Sequence, residues 1–366
     1  MIYQNCTEAF IDLGQQLLRM PEQSSRVGKT REMLMATITI RHPEHRCYVL
    51  PYRNDNIFAK IAETCWVLAG RNDVAWLSRY LPRATDYSDD GKVWRAGYGA
   101  RMRHYGHTDV DQLANIVAML QRDRYTRRAV MSFWNPVEDY GDSKDYPCND
   151  FIQAIIRKDN HDVDTLYLTV TQRSSDILWG FSASNTFEFT ILQTLLAHWL
   201  SCAIGTLTYN ITSLHVYDRH YSRLDKIIKA YTYSSIYEHN LPIAGCNISS
   251  EPCDSLAKFD TCLPIFFDRE AMLPDLPNLD VDLLLHDNFL LRCLDMLQAY
   301  KLWCVSKPNL SGDLIDCLSA MPDDDWKLAA IEYIARDNKA VLDEVKMSDA
   351  IMTALLDCMP QLRDDR

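Results

Sequence analysis

Residues 151–216 change hydrophobic period more than once, and this restricts the fold more than any other feature of the chain. Phe151–Arg157 and Thr165–Thr171 read as strands joined by a polar turn around Asp159–Asp162. Thr186–Leu200 reads as a long apolar helix, and Leu207–Val216 as a further strand. Paired strands, a long helix and another strand together predict an α+β fold, one mixed sheet packed by long helices.

Upstream, residues 4–20 read as an amphipathic helix stopped by Pro21, and Met33–Ile40 alternates like a strand. Asn56–Gly70 has helical spacing and ends in a glycine suited to a C-cap. Asp109–Arg122 predicts another helix, and Ala129–Trp134 a strand running into the Asn135-Pro136 turn. Asp139–Asp145 is polar and loop-like and delivers the chain to Pro147-Cys148. Composition shifts near residue 245: Pro252, Pro264, Pro274 and Pro277 precede helical segments around 283–304, 312–319, 324–345 and 347–357. The expected organisation is a first domain over residues 1–248 and a helical C-terminal extension over 249–366, whose role its own sequence does not define.

A net charge of −12 over 366 residues argues against nucleic acid as partner, because phosphate-backbone affinity needs concentrated Lys and Arg. A small phosphate-bearing ligand needs only a local arginine cluster. Twelve Cys without CxxC pairs favour a reducing, cytoplasmic compartment over a disulfide framework or zinc site, and no metal site is expected. The N-terminus lacks a signal-peptide pattern. The most apolar stretch, Thr190–Leu207, is interrupted by Gln193, His198 and Ser201, so a buried helix is expected there and no membrane span.

Cys148 follows Pro147 at the end of a polar loop and precedes a strand, a place at the edge of a cavity. A nucleophilic thiol must reach the thiolate form, which nearby cations favour. Arg173 lies at the end of the next strand, and a hairpin would bring it to Cys148. Arg26, Arg127, Arg128 and Arg173 form a set able to grip a phosphate dianion through forked donors. His215 and Tyr217, two apart on a strand, share a face from which both can hydrogen-bond a sugar hydroxyl. The bland readings compete: Asp176 as a helix N-cap, Tyr98 as core, Glu63 as a structurally paired carboxylate.

The strings TRRAVMSFWNP, DYPCN, QRSSDILWG and SLHVYDRH resemble the thymidylate synthase family in order and spacing, with weaker matches at SRVGKT, AETCWVLAGRND and GYGARMRHYG. The resemblance covers roughly residues 5–235, making 1–248 a thymidylate synthase-like catalytic domain. WGF and SLHVYDRH look most like deoxycytidylate hydroxymethylases. It implies a transferase in which Cys148 attacks C6 of a pyrimidine nucleoside monophosphate and 5,10-methylenetetrahydrofolate supplies carbon to C5. By the same resemblance Glu63 moves protons, Tyr98 helps remove the C5 proton and Asp176 holds the folate pterin. Arg173, Arg26, Arg127 and Arg128 would bind phosphate, the last two reaching across a homodimer interface, while His215 and Tyr217 would hold the sugar.

The chain departs from the family pattern at several places. Asn149 stands where most synthases have His, and Ser184, beside Asn185, stands at the base-reading position. A Ser hydroxyl can donate or accept, so it does not choose between uracil and cytosine. Ser174 is the residue seen in enzymes acting on deoxynucleotides. The folate-packing Trp is absent near Thr85-Asp86, and the usual closing tail is not recognisable. These losses favour hydroxymethylation, with (d)CMP or a related nucleotide as the expected substrate. Methylation of the dUMP or dCMP type is the alternative. A catalytically silent nucleotide-binding or regulatory module is the reading from another class.

Overall fold

The computed structural model describes residues 1–232, 235–248, 251, 253–273 and 287–363. Its strands are β1 (Ile2–Tyr3), β2 (Glu22–Ser25), β3 (Gly28–Ile40), β4 (Val130–Ser132), β5 (Asn149–Lys158), β6 (Asp164–Gln172), β7 (Ser175–Asp176) and β8 (Ala203–Tyr217). The helices of the first 248 residues are α1 (Cys6–Arg19), α2 (Ile57–Leu68), α3 (Val74–Leu77), α4 (Tyr98–Arg103), α5 (Gln112–Arg122), α6 (Thr186–Trp199) and α7 (Tyr221–Ala230). Beyond them lie α8 (Leu256–Met272), α9 (Asn288–Ser306), α10 (Gly312–Ala320), α11 (Asp325–Ala335), α12 (Val341–Glu344) and α13 (Asp349–Cys358).

The strands form one mixed sheet in the order β1-β3-β8-β6-β5-β4, with β2 paired to β3 and β7 to β8. The expected α+β architecture is therefore present. Strands β5 and β6 make the predicted antiparallel hairpin, while β6 and β8, linked through α6, run parallel. The hairpin turn is closed by Asp159, whose carboxylate accepts the N–H groups of His161 (2.8 Å) and Val163 (3.0 Å). Ile152, Ala154 and Ile156 of β5, Leu166, Leu168 and Val170 of β6, and Leu207, Tyr209 and Ile211 of β8 are buried on one face. The opposite face carries Tyr167, Thr169, Thr171, Thr206, Thr208 and Asn210, all half-buried.

Helix α2 explains where the C-terminal helices go. Every residue of it is buried except Glu63, which is half-buried. A helix apolar on all sides must be covered on all sides. It packs against α4 and α6 and also against α9 and α11 from beyond residue 248. Phe58 of α2 meets the rings of Tyr300 (5.3 Å) and Tyr333 (5.2 Å). The side chain of Asn56 accepts the Ala59 N–H at 3.1 Å to start α2, and Gly70, at φ +71°, follows its end as predicted. Gly99 brings α4 onto α2, since a Cβ there would lie 2.8 Å from the Val67 carbonyl oxygen.

Several expectations are adjusted. The exposed β2–β3 hairpin and helix α8, which contains Pro264, are additional elements. The expected helix over 324–345 is two helices, with Asn338 accepting the Ala340 N–H (3.0 Å) between them. The apolar stretch at 190–207 is the end of α6 and the start of β8, separated by a turn at 200–202. Among the described residues no helix is long and apolar enough to cross a membrane. Ser249, Pro252, Pro274, Pro277, positions 283–286 of the predicted 283–304 helix and the last three residues of the tail lie outside the described residues.

Candidate active site

The open end of the β5–β6 hairpin sets Asn149 opposite Gln172, with a bulge between Asn149 and Phe151. Cys148 and Arg173 flank this pair, and the Arg173 N–H donates to the Cys148 carbonyl at 3.0 Å. The Arg173 Nε donates to the Pro147 carbonyl at 2.8 Å and its Nη1 to the Ser174 Oγ at 3.2 Å, so the side chain clasps the loop that carries the thiol. The Ser174 hydroxyl lies 4.0 Å from the Cys148 Sγ. From the other side, the Cys148 N–H donates to the Tyr98 hydroxyl at 3.2 Å. Burial pushes the Cys148 thiol up, and the Arg173 charge and Ser174 hydroxyl oppose it without overcoming it. Beneath the thiol, the buried Gln172 side chain donates to the Asn149 Oδ1 at 2.6 Å, which gives Asn149 a structural partner in place of the family histidine.

Glu63 is the one half-buried position of α2. The Ser184 hydroxyl donates to its Oε2 in a short hydrogen bond. Burial raises the Glu63 carboxyl to about 7, against the lowering influence of Ser184 and Lys60. Ser184 and the buried Asn185 end an irregular π-helical segment over Ile177–Asn185, kinked at Ala183 (φ −92°, ψ −108°). That segment delivers the chain into α6 and turns Ser184 toward α2.

Strand pairing assembles a third group. Asp176 of β7 lies opposite His215 of β8, and Thr30 of β3 opposite Tyr217. The His215 and Tyr217 rings meet edge to face at 4.9 Å, as their shared strand face requires. The Asp176 Oδ1 accepts the N–H groups of Leu178 (2.8 Å) and Trp179 (2.7 Å), so the N-cap reading of this residue is correct. Its Oδ2 is buried without a partner among the described residues. Burial raises the Tyr217 hydroxyl, the charges of Asp176 and Cys148 add to this, and the Arg219 and Arg26 charges pull it back. Arg26 stands exposed in the two-residue loop between β2 and β3.

The four predicted arginines are not joined within one chain. Arg173 is beside Cys148 and Arg26 is within electrostatic reach of Tyr217, but Arg127 and Arg128 are exposed on the approach to β4. There the Arg127 carbonyl accepts from Gln153 (2.8 Å), and the Arg128 Nε donates weakly to Thr126 (3.5 Å). Sequence reasoning passed over Glu188, a carboxylate 3% exposed on α6, and the buried Lys60, which pairs with Asp55 at 2.5 Å. The signal for Glu188 was a lone acid inside the apolar run TFEFTILQTLL.

A thiol held against an arginine at a hairpin mouth, in a chain whose α2 carries a half-buried carboxyl raised by burial, suits covalent chemistry with proton transfer. The thymidylate synthase family model matches residues 3–242, and the chain belongs to that family. Curated relatives named deoxyuridylate hydroxymethyltransferase include proteins of Bacillus phage SP01 (33% identical over 58% of this chain and 57% of the relative) and Delftia phage PhiW-14 (36% over 52% and 54%). A third with the same name, from Pseudomonas phage M6, is 30% identical over 84% of each chain. The chain thus spans little more than half the length of the first two.

Proposed function

We propose that the protein is a C5-hydroxymethyltransferase acting on a pyrimidine nucleoside monophosphate, with 5,10-methylenetetrahydrofolate as co-substrate. The observation that carries the reading is the cluster of Cys148, Arg173 and Ser174, with the Tyr98 hydroxyl on the Cys148 N–H, together with Glu63 held by Ser184. Cys148 as thiolate adds to C6 of the ring, which makes C5 nucleophilic. The folate supplies carbon at the formaldehyde oxidation level. Tyr98 assists loss of the C5 proton, Glu63 carries protons through water, and Cys148 departs from C6 once water has captured the new exocyclic carbon.

Arg173 binds the nucleotide phosphate and lowers the cost of ionising the thiol. His215 and Tyr217 hold the sugar, which the Ser174 neighbour favours as deoxyribose. The unpartnered Asp176 Oδ2 is an acceptor fitted to the ring N–H donors of a pterin. The Ser184 hydroxyl gives its one proton to Glu63, which leaves it an acceptor for a base N–H, with Asn185 adjacent. Uracil offers such a donor at N3 and cytosine at its exocyclic amino group, so this hydroxyl accepts either base. The relatives' names rank deoxyuridylate ahead of the deoxycytidylate expected from the motifs. In the same reading the enzyme is cytoplasmic and works as a homodimer, with Arg127 and Arg128 completing the partner's phosphate site. Their exposure outside their own site supports this, as does the Thr-rich sheet face that no described element covers.

The test is incubation with methylenetetrahydrofolate and dUMP, dCMP, UMP or CMP, with products weighed. Gain of CH₂O with release of tetrahydrofolate is expected on dUMP first. Gain of CH₂ with release of dihydrofolate would instead make the protein a methylating synthase, and no turnover would favour a silent binding module.

A further inference from the structure

Glu188 is a buried acid that the chemistry above does not use. It stands on α6 at the contact with α2, and neither of its carboxyl oxygens has a hydrogen-bond partner among the described residues. It lines a small closed cavity with Thr64, Val67, Met102, Phe133 and Phe189, which offers it almost only apolar surface. The charged and titratable groups facing it are few. From α2 comes Glu63, of like charge, itself within reach of Lys60; Tyr98 faces Glu188 from α4 and Tyr209 from β8. Lys60 is already engaged, donating to Asp55 at 2.5 Å and to the Ser182 carbonyl at 3.2 Å.

An ionised carboxylate with no donor, in an apolar cavity and beside another carboxylate, is costly on two counts, desolvation and repulsion. Keeping the proton removes the repulsion and most of the desolvation cost. We propose that Glu188 is a positioning residue that acts through Glu63, a neutral carboxylic acid that leaves the pair one negative charge and one proton. This rests on the proposed C5 chemistry. When Glu63 accepts a proton the pair becomes neutral, and the charge returns when Glu63 releases that proton to water. Glu188 keeps its own proton at both stages, and its hydroxyl turns to the Glu63 carboxylate as donor when that group is charged, a contact the resting geometry does not make. Burial, with the Glu63 charge adding to it, pushes the Glu188 carboxyl well up, in keeping with this assignment.

The test combines infrared spectroscopy with C5 tritium release on the intact protein. At about pH 8, where a solvated glutamate is fully ionised, the native protein should show the carbonyl stretch of an un-ionised carboxylic acid. The band should persist in Glu63→Gln and vanish in Glu188→Gln. Glu188→Gln should slow tritium release from deoxyuridylate about tenfold, a fraction of a general acid–base contribution, with KM for the nucleotide unchanged. Glu188→Asp, which keeps an acid, should recover most of the rate. Absence of the band in the native protein, or a Glu188→Gln rate equal to native, would overturn the proposal. If the native protein shows the band but releases no tritium, the C5 reading fails, and with it the catalytic part of this proposal.

Discussion

At Glu63, burial outweighs the Ser184 hydrogen bond and the Lys60 charge, and the carboxyl titrates at about 7. An unfolded glutamate titrates near ~4.3. Between those two values the folded chain retains a proton that the unfolded chain has released, so stability falls as pH rises through that window. Glu63→Gln removes the difference. Thermal melts should show a flatter pH dependence between about pH 4 and 7, the variant gaining on the native protein by on the order of 3 kcal/mol at the upper end. An equally steep dependence in both would mean that Glu63 is ionised throughout. The same carboxyl must be charged to accept a proton, so C5 tritium release should rise with pH toward a plateau above about 7.

Helix α11 supports the site from behind. Trp326, fully buried, packs against Phe187 of α6 at 5.9 Å and Phe289 of α9 at 6.4 Å. Phe187 directly precedes Glu188 on α6, so α11 packs beside the helix position that carries this acid. Trp326→Ala should cost roughly 3–5 kcal/mol in denaturant unfolding, as large-to-small core changes do; a loss below about 1 kcal/mol would show that the extension docks only loosely. The elements legible in the sequence are those whose burial is one-sided or complete. Strands β5 and β6 alternate, and α2 and α6 are rich in apolar residues and buried at all but Glu63 and His198, so their patterns fix them. Strands β2 and β3 begin in an exposed hairpin of EQSSRVGK, which has no buried face to leave a pattern, and Pro264 hid α8. The approach of Cys148 to Arg173 followed from hairpin spacing alone. The Glu188–Glu63 pairing joins two helices more than a hundred residues apart, and no local pattern encodes it.

For the whole molecule, the dispersed arginines bear on assembly. If Arg127 and Arg128 serve the partner's site, Cys148→Ser and Arg127→Ala/Arg128→Ala proteins are each defective alone but complementary in a mixed dimer. Random mixing of subunits should restore activity to about a quarter of native, because half the dimers are mixed and each has one intact site. No recovery on mixing, with dimers present by sedimentation, would place both arginines outside the site.

The most direct measurement is the intact mass of the protein after incubation with 5-fluoro-2′-deoxyuridylate and methylenetetrahydrofolate. The fluorine blocks loss of the C5 substituent, so a nucleophile that has added to C6 stays attached. The account predicts a mass gain of nucleotide plus folate, mapped by peptide digestion to Cys148 and absent in Cys148→Ser. An adduct on another residue, or one that survives Cys148→Ser, would contradict the assignment of the nucleophile. No adduct on the native protein would contradict the covalent mechanism itself.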